Sequence, residues 1–139
     1  MLADVDFLKE TVAELAAQVR GSVLSARELV EHALERIERL DGDINAFTAV
    51  DGDAALVAAG AVDERVATGE DVGPLAGIPI GVKDLEDAAG FVTTHGSPAH
   101  AEDPPATADS PLVDRLRAAG CVVLGKTNTP EFEIGRAHV

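Results

Sequence analysis

From Gly73 to Asp87 the chain reads Gly-Pro-Leu-Ala-Gly-Ile-Pro-Ile-Gly-Val-Lys-Asp-Leu-Glu-Asp, and no other stretch constrains the fold as strongly. Ile78, Ile80 and Val82 alternate with Gly77, Pro79 and Gly81, which predicts a short buried strand approached closely by other backbone. Lys83 ends that strand. A lysine is costly to bury, and it serves as a base only when desolvation or a nearby cation brings its pKa from ~10.4 towards ~7–8. Of the three lysines, Lys9 and Lys126 fall in polar or loop-like contexts. Lys83 is therefore the one whose charge the fold is expected to accommodate deliberately. From spacing alone a plainer reading stands beside it, in which Lys83 reaches water at the strand end and pairs with Asp84, Glu86 or Asp87.

The residues before this strand predict helices. Val5, Leu8, Val12, Leu15 and Val19 recur at helical spacing, so a helix is expected over 5–20 with Gly21 as its C-cap. Ser25-Ala-Arg-Glu28 is a capping box, and Leu29 to Leu40 continue as an apolar stripe towards an Asp41-Gly42 break. Residues 44–50 read as a strand. A third helix is expected from an N-cap at Asp53 to a stop near Gly69, weakened at Gly60. After Lys83, residues 84–108 show little periodicity and predict a long surface loop. Ser110-Pro111 opens a short helix with Leu112, Val113 and Leu116 inside, and Cys121 to Leu124 form the next strand. Strand, crossing helix and strand in this order favour parallel pairing. The fold class expected is α/β, with N-terminal helices followed by part of a mixed, largely parallel sheet covered by helices.

Composition narrows the function. With four Phe and no Trp or Tyr, the core must be aliphatic and offers no aromatic platform for stacking bases. A net charge of −14, from 25 acidic and 11 basic residues, repels a nucleic-acid backbone or an anionic membrane. No stretch approaches the ~18 apolar residues of a membrane span. The expectation is a cytoplasmic protein with neither nucleic-acid nor membrane partner. Cys121 lies in an apolar run and reads as a buried hydrophobe. His95 stands on a loop without a second ligand at metal spacing, and His32 reads as a solvated helix residue. The trio Asp84, Glu86 and Asp87 lacks the further oxygen ligands of a Ca²⁺ loop.

Three segments together resemble the amidase signature family: Gly77-Ile-Pro-Ile-Gly-Val-Lys-Asp84, Thr93-Thr-His-Gly-Ser97, and the run from Arg115 to Phe132 containing Leu124-Gly-Lys-Thr-Asn-Thr-Pro-Glu-Phe132. The resemblance implies an incomplete amidase signature fold and a Ser-cisSer-Lys mechanism for cleaving a carboxamide, with Lys83 as the base. In that mechanism one serine attacks the carbonyl, a second in a cis peptide passes the proton on, and backbone N–H groups hold the oxyanion. Neither serine is matched here, since no Gly-Gly-Ser-Ser-Gly-like run occurs and Ser22, Ser25, Ser97 and Ser110 read as loop or cap residues. Thr127 and Asn128 are candidate substrate-binding residues, placed after a parallel strand where open α/β sheets hold ligands. A local turn is an equal reading for both. The resemblance implies no cofactor, a small-molecule amide substrate, and a homodimer as one option at full length. The Thr129-Pro130-Glu131-Phe132 ending is more similar to the stand-alone amidases than to the amidotransferase members of the family.

The resemblance runs through Phe132 and then breaks. Residues 133–139, back-translated as GAG ATC GGA AGA GCA CAC GTC, match the opening of a common short-read sequencing adapter apart from the first base. The expectation is that residues 1–132 are the N-terminal part of one amidase signature domain and that 133–139 are a non-native tail. A second class of function stays open on the residues alone: an acidic α/β interaction module in which Lys83 is an ordinary paired lysine. An uncovered sheet edge and face would argue against that module, and a closed core would argue for it.

Overall fold

The computed structural model describes residues 5–135. Helix α1 runs over Val12–Arg20, α2 over Ala26–Ile44, strand β1 over Phe47–Val50, and α3 over Gly52–Ala67. Strand β2 follows over Pro79–Lys83, α4 over Pro111–Ala118, and β3 over Val122–Thr127. The three strands form one sheet in the order β1-β3-β2, with β3 parallel to β2 and antiparallel to β1. The last strand in sequence is thus the central one, and it is buried along nearly its whole length.

Local chemistry explains where the elements begin. The helix expected from Val5 starts only after Thr11, because Thr11 accepts the Glu14 N–H while the Glu14 carboxylate accepts the Thr11 N–H at 2.8 Å. Asp6 accepts the Leu8 N–H at 2.9 Å and holds the preceding residues in a turn. Gly21 caps α1 with φ −85°, and it is Ser22 that takes the left-handed backbone, φ 56°. Ser25 and Glu28 form the second capping box as expected. Helix α2 runs through Asp41-Gly42 to Ile44, one turn beyond the expected break. The Asp41 carboxylate receives the Ala46 N–H at 2.7 Å, and Asn45 closes the helix in the left-handed region. Asp51, not Asp53, caps α3 by accepting the Ala54 N–H at 2.9 Å, and Gly60 leaves the helix unbroken.

Leu29, Val30, Val19, Leu15, Ala55, Ala59, Ile78, Val122 and Leu124 make the main core between the helices and one face of the sheet. Val82, Ala88, Val113 and Val123 make a smaller core on the other face. Leu112, expected inside α4, is exposed, while Val113 is buried in the smaller core and Leu116 packs, half-buried, against the main one. The segment 84–108 is long but tied down rather than laid over the surface. Gly90 N–H donates to the Ala106 carbonyl and Ala106 N–H to the Phe91 carbonyl, each at 2.9 Å. Asp84, Ala88 and Ser97 from it are buried. Close approach is severe where the sequence suggested it: a Cβ on Gly81 would lie 2.5 Å from the Thr127 methyl. A Cβ on Gly77, whose φ is +73°, would lie 2.7 Å from that of Ala26.

Candidate active site

Strands β2 and β3 end side by side, and their carboxyl ends are where an open α/β sheet presents ligands. Lys83 is the register partner of Thr127, and Val82 that of Lys126. The Asp84 N–H donates to the Thr127 carbonyl at 2.9 Å, which carries the pairing one residue past β2. Side chains alternate along a strand, so Val82 and Asp84 point to one face and Lys83 to the other.

The two lysines meet opposite environments. The Lys83 side chain is 45% exposed and its ammonium contacts the Glu133 carboxylate, a residue fifty positions away and not one of the three acids that follow it. Lys126 is fully buried, and so is Asp84, with Nζ to Oδ1 at 3.1 Å. Lys126 also donates to Thr93 Oγ1 at 2.8 Å and to the Val92 carbonyl at 3.4 Å. An ammonium has three N–H donors, and here all three are committed. Asp84 in turn accepts the Thr94 N–H at 3.0 Å and the Thr94 hydroxyl. The expectation that Lys83 would be the deliberately buried lysine is overturned: the sheet buries Lys126 and leaves Lys83 facing solvent.

The reason lies in β3. Between Ile80 and Gly81 on β2 the pairing advances by one residue, while on β3 it passes from Val123 to Gly125. The extra residue turns the strand by one position, so Lys126 faces the same side as Val123 and Val82. Gly125 is needed there, since a Cβ would sit 2.0 Å from the Ala49 carbonyl oxygen. Strand β3 therefore runs on through Lys126 and Thr127, beyond the end at Leu124 expected from residue order.

Thr127 is brought beside Lys83, half-buried, with its methyl against Gly81. Asn128 faces the other way. Its Nδ2 donates to the Asn45 carbonyl at 3.1 Å and its Oδ1 accepts the Thr129 N–H at 3.0 Å, so its amide ties β3 to the entry of β1. Residues 93–97 return over the strand ends, where Ser97 Oγ donates to Glu131 Oε1 at 2.6 Å. The Phe132 N–H donates to the His95 carbonyl at 2.7 Å. The His95 ring stacks on Phe132 at 5.6 Å, and His100 meets His95 edge-on at 5.5 Å, a second imidazole that sequence distance concealed. His32 is half-buried against the Phe7 ring at 5.1 Å rather than solvated. Burial pushes the Cys121 thiol pKa up, which keeps it a poor nucleophile. Among the described residues no three His, Cys, Asp or Glu side chains gather as a metal site, and no helix is long and apolar enough to cross a membrane.

Chemically, this end of the sheet offers one amine that solvent reaches and one fixed, neutralised charge behind it. Residues 28–139 match the family described as Amidase. This chain belongs to the amidase signature family. It is 44% identical over 131 residues to a glutamyl-tRNA(Gln) amidotransferase protein of Acidothermus cellulolyticus, covering 94% of this chain and 26% of that protein. It is 48% identical over 122 residues to a Mycobacterium bovis protein bearing the amidase name AmiB2, covering 86% of this chain and 26% of that one. The peptide amidase of Stenotrophomonas maltophilia superposes with a TM-score of 0.81 at 37% identity, over 91% of this chain and 26% of its own. The chain thus spans about a quarter of the length of these relatives.

Proposed function

We propose that these residues supply the base of an amide-hydrolysing active centre, with Lys83 accepting the proton of a serine nucleophile through a second, bridging serine. The observation that carries the reading is the setting of Lys83. It ends a strand of a parallel pair, inside the motif that the family resemblance marks as catalytic, and the desolvation that a basic lysine needs is assigned in this reading to the part of the relatives' length that this chain does not span. A serine hydroxyl attacks a carboxamide only with a base in reach, and a primary amine in its neutral form can be that base. The serine oxygen bonds to the carbonyl carbon as the C–N bond breaks and ammonia or an amine leaves with the proton; water then cleaves the resulting ester, giving the carboxylate and restoring the serine hydroxyl. Thr127, beside Lys83, is the better placed of the two candidate substrate contacts, because the Asn128 amide is already occupied by backbone partners. The substrate in this reading is a small-molecule amide and the enzyme is cytoplasmic.

Both serines of the proposed triad are assigned to sequence outside these 139 residues. The share of the relatives' length covered supports this, as do the open edge of β2 and the apolar side chains of Leu8, Val12, Val23 and Val57 left in solvent. In the same reading residues 133–139 are adapter sequence. Glu133 is then a stand-in partner for Lys83, and in the complete enzyme the amine, in its neutral form, meets the bridging serine instead.

Site-directed variants of the complete enzyme test the assignment. Lys83→Ala should lower turnover by ~10²–10⁴-fold while the melting transition barely moves. Lys83→Arg should be no better, because a guanidinium stays protonated. Near-normal turnover in Lys83→Arg would make the lysine a fixed charge and end the reading. The 139-residue chain alone should hydrolyse no amide above its own Lys83→Ala control.

A further inference from the structure

We propose that the buried Lys126–Asp84 pair, with Thr93 and Thr94, is a positioning unit that fixes the direction of Lys83. The proposal rests on the reading of Lys83 as the base. Lys83 is held through its two neighbours. Val82 is 5% exposed and packed in the smaller core, and Asp84 is fully buried. Asp84 is gripped at three points from two directions: its N–H by the Thr127 carbonyl, its Oδ1 by the Lys126 ammonium, and both carboxylate oxygens by Thr94. With the residues on either side immobilised on one face, Lys83 keeps only its own side-chain torsions on the opposite face.

Lys126 does a second thing. Its bonds to the Val92 carbonyl and Thr93 Oγ1 hold the segment returning over the strand ends, the same segment whose Thr94 clamps Asp84. One ammonium therefore fixes the strand carrying Lys83, the strand beside it and the loop that follows. A solvated turn would have let the base wander, and proton transfer loses efficiency steeply when the acceptor is misplaced by about 1 Å. A merely structural pair would be exchangeable for apolar residues without loss. A positioning pair would not.

The test uses the complete enzyme. In Lys126→Met the stem is kept and the ammonium removed; kcat should fall at least tenfold with KM changed less than threefold, and the rising limb of the kcat–pH profile should shift. Thr94→Val removes one donor to Asp84 with little change of volume and should lower kcat several-fold in the same pattern. Thr94→Ser, which keeps the hydroxyl, should restore it. If Lys126→Met does not fold, the Thr94 pair of variants decides the matter. A folded Thr94→Val enzyme with wild-type kcat and an unshifted pH profile overturns the proposal, provided Lys83→Ala is inactive in the same assay. If Lys83→Ala is itself active, the base assignment falls first and the positioning role falls with it.

Discussion

Lys83 and Lys126 lie near the ends of adjacent parallel strands, one register step apart, and the fold treats them in opposite ways. One is 45% exposed with a single carboxylate partner; the other has no exposure, a buried counter-ion and every donor engaged. The difference teaches that burial and reactivity are separate properties of a lysine. Burying an ammonium among acceptors stabilises its charge in place and removes it from chemistry. An amine that is to move a proton must keep a path to its reaction partner. This sheet end therefore carries a fixed, buried charge one register step from an exposed amine.

The sharpest way to break this comparison is to remove each lysine and measure folding. Lys126→Ala leaves Asp84 as an unpaired buried carboxylate and should cost about 3–5 kcal/mol of stability. Lys83→Ala breaks no buried ion pair and should cost less than about 1 kcal/mol, and chemical denaturation of the complete enzyme measures both. Equal losses would mean that the two sites are not different in kind. Replacing both members of the buried pair with apolar residues, as Asp84→Leu with Lys126→Leu, sharpens it further. Much of the stability should return, since the desolvation penalty disappears, yet turnover should stay low because nothing then aligns the strand end. Recovery of both together would reduce the pair to packing.

Smaller effects come from the surface. The Glu14 and Glu28 carboxyls are held below the usual range chiefly by the Thr11 and Ser25 N–H groups of the two capping boxes. Their folded-state pKa values lie below the unfolded ones, so their stabilisation is present above the ordinary glutamate value and is lost as pH falls through the lowered ones. Thermal melts below about pH 4.5 should show a shallower loss in Glu14→Gln and Glu28→Gln than in the parent. A parallel fall in all three would contradict this. Smallest of all, Cys121 should resist alkylation at neutral pH until the sheet opens, and a thiol-reactive dye reads that directly; rapid labelling of the folded protein would show the central strand to be accessible.

The parts of the fold legible from residue order were those set by contacts three or four positions apart, together with the strand-helix-strand order that dictates a parallel pair. The Ser25 capping box, the Ser110-Pro111 start and the pairing of β2 with β3 are of these kinds. Ends fixed by competing side chains were not. Asp41 reads as a break, but its carboxylate caps backbone N–H groups beyond the helix and lets α2 run on. Lys126 was the main loss at the site. Its burial depends on an extra residue at Leu124-Gly125 that reverses the side-chain alternation, and on an aspartate forty-two positions earlier. The only local hint was Gly125 interrupting an apolar run, which reads as the end of a strand rather than a turn of it about its axis.

The position of β3 in the middle of the sheet has a consequence for the order of events during synthesis. Strands β1 and β2 do not pair with each other; both wait for β3. At roughly 5–20 residues per second, a ribosome needs on the order of 2–9 s to pass from the end of β2 to the end of β3, and part of that length stays in the exit tunnel after that. Until then the helices can form, but two strands sit without a neighbour and Asp84 has no ammonium to meet. The nascent chain thus passes through an interval in which both outer strands lack a neighbour and Asp84 lacks its counter-ion, and the arrival of Gly125 and Lys126 supplies them.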